Sequence, residues 1–117
     1  LIERRSEVIT AKLYLIQRIS ALLMAPLVIA HLVGIIMAVQ GGLTAEEILG
    51  RTQGSLGWMC FYSAFVILVA VHGTIGLRSI LIEWTPLANR IVDALAAGWL
   101  ISALILGLRA VVAVTWS

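Results

Sequence analysis

Apolar residues along the 117-residue chain fall into three long blocks separated by short polar punctuation. No charged residue occurs from Ile19 to Val39, and none from Thr52 to Leu77. A third stretch, Ala94 to Leu108, meets Arg109 and then continues apolar to Trp116. A helix crosses the hydrocarbon core with about 20 apolar residues, rising roughly 1.5 Å per residue. The pattern therefore predicts three transmembrane helices, roughly 13–40, 57–83 and 91–115. The third is long enough only if Arg109 lies near a membrane face and snorkels outward. The first apolar run is too long for a signal-peptide core and holds Pro26 and His31, so it is expected to remain as a span.

The linkers differ. Gln40 to Gly57 contains Gly41, Gly42, Gly50 and Gly54, the acidic pair Glu46–Glu47, and Arg51. Within it Thr44 caps a predicted short helix over 45–49. The second linker is short, and Thr85–Pro86 stops the helix before it, because proline cannot continue the backbone ladder.

Composition turns this pattern into a class. Hydrophobic residues make up 62% and charged residues 12%, and the mean hydropathy is +1.08. A soluble domain carries roughly twice that share of charge. Too few charges remain to cover a water-facing surface, which excludes a soluble globular protein and a disordered chain. The net charge of +2 is too small to imply a nucleic-acid partner. Cys60 is alone, so neither a disulfide framework nor a cysteine metal site is expected. The reading is an all-α membrane protein: one domain over 1–117, embedded in a lipid bilayer.

The basic residues give an orientation. Arg4, Arg5, Lys12 and Arg18 precede or open the first span, and Arg78 and Arg90 flank the second linker. The opposite ends carry only Arg51 and Arg109. The excess of positive charge on the cytoplasmic side predicts a cytoplasmic (or matrix) N-terminus and an outside C-terminus. Trp58, Trp84 and Trp116 fall at expected interfaces, with Trp99 the exception.

Ionisable groups at depth are costly in hydrocarbon, which makes Arg18, His31, His72, Arg78 and Arg109 the candidates for function. His72 precedes Gly73, with Gly76 one turn on. A free imidazole nitrogen is a good axial ligand for haem iron, and glycines let a flat macrocycle approach. The same spacing suits a hydrogen-bonded histidine in close helix packing, so both readings stand. His31, between Pro26 and Gly34, poses the same choice, with a carbonyl freed by Pro26 as a structural partner. Arg18 and Arg78 either snorkel to lipid phosphate or bind an anion or a quinone carbonyl together. Tyr14, Ser20 and Glu83 add hydrogen-bonding groups at that level. If the two arginines share a depth, the histidines differ by about 10 Å, and one iron cannot be held by both. A second chain must then supply the other ligand.

Two segments resemble a known family. Tyr14-Leu15-Ile16-Gln17-Arg18-Ile19-Ser20-Ala21 resembles the Ser-x-x-His-Arg-x-Ser/Thr-Gly segment of the cytochrome b membrane anchor of succinate dehydrogenase and fumarate reductase. His72-Gly73-Thr74-Ile75-Gly76-Leu77-Arg78-Ser79-Ile80-Leu81-Ile82-Glu83 resembles that family's His-x-x-x-Gly-x-Arg-His-x-x-x-Asp segment. Order, separation and the three-helix plan agree over nearly the whole chain.

The resemblance implies that His72 is an axial ligand of haem b, that Arg18 serves a quinone or a haem propionate, and that Arg78 belongs to the same cytoplasmic rim; Arg78 and Gly76 are further cofactor-binding candidates. It implies quinone contacts from Arg18, Ser20, Tyr14 and Glu83. Five positions depart from the pattern: Tyr14 replaces a serine, Gln17 a histidine, Ala21 a glycine, Ser79 a histidine and Glu83 an aspartate. His31 resembles the first-helix histidines of two-haem anchors, so both His72 and His31 are candidate iron ligands.

The implied assembly is a succinate:quinone oxidoreductase, or its fumarate-reducing relative, in the bacterial inner membrane. A flavoprotein and an iron–sulfur subunit on the cytoplasmic side carry out the dicarboxylate chemistry. This chain and a partner anchor form one larger helical bundle around one or two haems b and a quinone. A haem-free anchor with a quinone pocket is the main alternative. A small transporter subunit is another, disfavoured because mid-membrane acids and broken-helix pairs are missing.

Overall fold

A computed structural model describes the backbone of residues 2–116 and the side chains of residues 9–116. Four helices follow one another: α1 (Ile2–Gly41), α2 (Ala45–Thr52), α3 (Leu56–Trp84) and α4 (Asn89–Thr115). No strand occurs among the described residues, so the fold is all-α. Three helices are long and apolar enough to cross a membrane: Ile9–Gly41, Leu56–Trp84 and Asn89–Thr115. The last two match the predicted spans to within about two residues at each end.

The first does not. Its helix starts about three turns before residue 13, because a charged segment outside the hydrocarbon leaves no mark on a hydropathy pattern. Arg4 and Arg5, used above for orientation, lie outside the described side chains.

The linkers behave as their residues dictate. Gly42 ends α1 at φ +114° and Gly54 turns the chain at φ +74°, a region that glycine enters without a Cβ clash. Thr44 caps α2: its hydroxyl accepts from the Glu47 amide, and the Glu47 carboxylate accepts from the Thr44 amide. Arg51 reaches back from α2 and donates to the Gly42 carbonyl at 2.8 Å, placing a cation at the negative end of the α1 dipole. The linker is also tied to the end of α4. Thr52 donates to the Val114 carbonyl at 2.7 Å, and the Gly54 amide to that of Thr115 at 2.7 Å. At the other turn α3 stops at Trp84, one residue before Thr85–Pro86.

Helix α3 is central, packed most extensively against α4 and also against α1. Its contacts depend on small residues. A Cβ on Gly73 would lie 2.5 Å from the Trp99 ring, and one on Gly107 2.5 Å from Val66, so α3 and α4 meet at backbone distance. Trp99 departs from the interfacial tryptophan pattern because its ring fills the notch that Gly73 leaves. Among the described residues the buried apolar set is short and small: Ala70, Ile75, Val92, Ala96 and Val111. Large apolar side chains point outward instead, Leu22 70% exposed and Leu106 66%. The bundle measures 56 × 24 × 24 Å, enough to cross a bilayer of about 40–45 Å with α1 overhanging.

Candidate functional site

Residues one turn apart on α1 share a face, and Tyr14, Gln17, Arg18, Ala21 and Leu22 occupy one such stripe. Opposite them His72 of α3 completes an open groove of about 330 Å³. The groove brings together Tyr14, Arg18 and His72 from the sequence-derived candidates and adds Gln17.

His72 is fixed by one ring nitrogen. Its Nδ1 lies 3.1 Å from the Gln17 carbonyl oxygen and 3.2 Å from Ser20 Oγ. The Ser20 hydroxyl in turn donates to the Gln17 carbonyl at 2.8 Å. A carbonyl oxygen can only accept, so a bare Nδ1 would set lone pair against lone pair. The network therefore assigns the proton to Nδ1, which donates to Gln17, and leaves Nε2 as the basic nitrogen. Nε2 has no hydrogen-bond partner among the described residues, yet no buried side-chain nitrogen or oxygen there lacks one. Nε2 is therefore not fully buried, and His72 lines the groove.

Arg18 and Tyr14 form the rim. The guanidinium donates to the Tyr14 hydroxyl at 3.2 Å and lies 5.9 Å from the centre of that ring. Because Tyr14 accepts this bond, its own hydroxyl proton stays available to another acceptor. The rim therefore offers two donors, one of them cationic, within reach of a carbonyl or an anion.

Other candidates are elsewhere. Ser20 is buried, 4% exposed, behind His72 rather than in the groove. Gly76 lies abreast of Gln17, whose Nε2 would be 3.5 Å from an added Cβ, an ordinary contact. With Gly73 against Trp99, both glycines face helices of this chain.

Arg78, two residues beyond Gly76, turns to α4 and forms an ion pair with Asp93 at 2.9 Å. The shared depth for Arg18 and Arg78 is thus corrected: Arg18 is abreast of His72, and Arg78 lies farther along α3. The axial register of α3 against α1 sets which residues share a depth, and the spacing of charges along a sequence does not reveal it. Asp93 was not among the candidates, although an acid early in the helix after a short turn suits a cation near the turn's other end. Glu83 is exposed near the end of α3, apart from the groove.

The offset between the histidines also grows. Nδ1 of His72 is abreast of residues 17–20, and His31 lies 11 to 14 residues farther along α1, or roughly 16–21 Å. His31 opens onto a second cavity of about 300 Å³ that includes Gly34, Arg51, Trp58 and Tyr62. Its ring packs 5.1 Å from Phe65 and 6.2 Å, edge on, from Tyr62. The carbonyl deprived of its donor by Pro26 is that of Leu22, roughly 13 Å from His31 along the helix, so aromatic rings are its neighbours instead.

Among the described residues no group of three or more His, Cys, Asp or Glu could hold a metal alone. An iron held here would be held by a single imidazole and a macrocycle. The donor set fits that role: Nε2 is basic, oriented and accessible, and a cation stands at the groove's edge. A hexacoordinate iron would take its other axial ligand from another chain.

The family described as succinate dehydrogenase/fumarate reductase transmembrane subunit matches over residues 4–115. No curated protein and no solved structure matches the chain. Three membrane-spanning helices and a match over almost the full length agree, and the chain belongs to the family of succinate dehydrogenase/fumarate reductase transmembrane subunits.

Proposed function

We propose that this subunit contributes one axial ligand, His72 Nε2, to a haem b held between it and a partner anchor. In the same reading, Arg18 and Tyr14 form part of the quinone site beside it. The observation that carries this is the Nδ1 bond to the Gln17 carbonyl, which leaves Nε2 basic and accessible in a groove rimmed by Arg18. Haem b, when bound, supplies one-electron redox chemistry within the membrane.

The chain's own residues do the rest. The Gln17 carbonyl accepts a hydrogen bond from Nδ1–H and raises the donor strength of Nε2. Arg18 holds positive charge where a quinone carbonyl gains electron density or a propionate needs a counter-ion. Tyr14 offers a hydroxyl proton at the same rim. Electrons arrive from an iron–sulfur subunit seated, with its flavoprotein, against the cytoplasmic face, to which the N-terminal end of α1 and the α3–α4 turn are directed. The excess of basic residues at those ends supports this orientation in a bacterial inner membrane. His31 belongs to a separate site, where a second haem would need its own partner ligand.

A haem-free anchor is the second reading, favoured by the two glycines near His72 being occupied by packing within the chain. Protohaem and iron content of the purified complex decides between them. The expected result is haem in the wild-type complex and loss of one haem in His72→Ala. Unchanged haem content in His72→Ala, or a colourless wild-type complex that still reduces quinone, overturns the first reading.

A further inference from the structure

Ser20 lies in the motif whose resemblance implies a quinone contact, yet its side chain points the other way. It is 4% exposed, its hydroxyl donates to the Gln17 carbonyl at 2.8 Å, and its oxygen is 3.2 Å from His72 Nδ1. The groove that holds Arg18 and Tyr14 does not include it. We infer that Ser20 is a positioning residue for His72, setting the plane and the donor strength of the imidazole, and not a quinone ligand. This inference rests on His72 being the iron ligand.

The physical argument concerns a three-membered network. Gln17's carbonyl has two lone pairs and receives two donors, the Ser20 hydroxyl and the His72 Nδ1–H. A single acceptor would let the ring swing about that one bond. The Ser20 oxygen lies beside the Gln17 oxygen on the same side of Nδ1 and closes a triangle with them, so the Nδ1–H meets two adjacent acceptors and the ring's rotation about its Cβ–Cγ bond is restrained by both. Ring orientation relative to the macrocycle and electron donation through Nε2 both act on iron, as hydrogen bonds to a ligating histidine generally do. Ser20 is buried between α1 and α3, so its hydroxyl bonds within the protein rather than to bulk solvent.

The test uses the intact complex carrying Ser20→Ala, Ser20→Cys and Ser20→Thr. Four quantities are read: haem content, the midpoint potential from an optical redox titration, the low-spin ferric signal in electron paramagnetic resonance, and KM for quinone. Ser20→Ala is expected to keep haem while shifting the potential and altering the ferric signal. Ser20→Thr, which retains the hydroxyl, is expected to restore both to wild-type values. Should Ser20→Ala fail to assemble, Ser20→Cys takes its place, with a poorly bonding thiol and the same expected shift. A haem-bearing Ser20→Ala or Ser20→Cys complex with unmoved potential and signal, and a raised KM for quinone, overturns the inference alone. A wild-type complex without any haem overturns the functional reading together with it.

Discussion

His72 and Arg18 are abreast of one another because two helices cross where α1 carries its aromatic and cationic residues one turn apart. Their identity as candidates was legible in the sequence, since an imidazole and a guanidinium in an apolar run stand out against hydrocarbon. Their partners were not. The Gln17 carbonyl is a backbone atom with no signature in side-chain type, and the places of Ser20 and Arg78 outside the groove depend on which faces of α1, α3 and α4 meet.

The clearest prediction at this scale concerns Arg18. Replacing it by leucine removes a charge-assisted donor worth about 1.5–3 kcal/mol. Quinone reductase activity of the complex is expected to fall by roughly ten- to a hundredfold. Succinate oxidation with an artificial acceptor at the soluble subunits is expected to stay at the wild-type rate. Equal losses in both assays would indicate failed assembly rather than a damaged quinone rim.

Among the elements, α3 bears the architecture: it meets both other spans and carries His72 on its α1 side and Gly73 on its α4 side. Adjacent positions thus serve different interfaces, as the helical turn requires. The two charge-free runs located the spans well, and proline and glycine located their ends. The N-terminal extension of α1 escaped because its sequence is polar and lies outside the hydrocarbon. The short helix α2 was readable from Thr44 and Glu47, whose reciprocal bonds depend only on local spacing.

Packing at α3–α4 yields the second prediction. Gly73→Leu forces a side chain into the Trp99 ring and is expected to destabilise the complex by about 1–3 kcal/mol. This would be read as a lower thermal midpoint in detergent. Gly98→Ala, with nothing within 4 Å of the added carbon, is expected to leave the midpoint in place. A midpoint unmoved by Gly73→Leu would contradict the close approach of α3 and α4.

As a whole, the molecule is a three-span bundle with few buried side chains and much large apolar surface turned outward. In a bilayer such a surface meets lipid tails or another chain. The orientation proposed from the basic residues can be checked directly. In a Cys60→Ser background, Glu46→Cys is expected to react with an impermeant maleimide in intact cells. Asn89→Cys is expected to react only after permeabilisation. The reverse pattern would invert the membrane topology and separate the groove from the soluble subunits.

The central claim is that His72 ligates a haem b, and a reduced-minus-oxidised optical spectrum of the purified complex tests it most directly. The wild type is expected to show the sharp bands of a low-spin b-type haem. In a His72→Ala complex of unchanged subunit composition those bands are expected to be lost or converted to a high-spin form. A His72→Ala spectrum indistinguishable from the wild type would contradict the account.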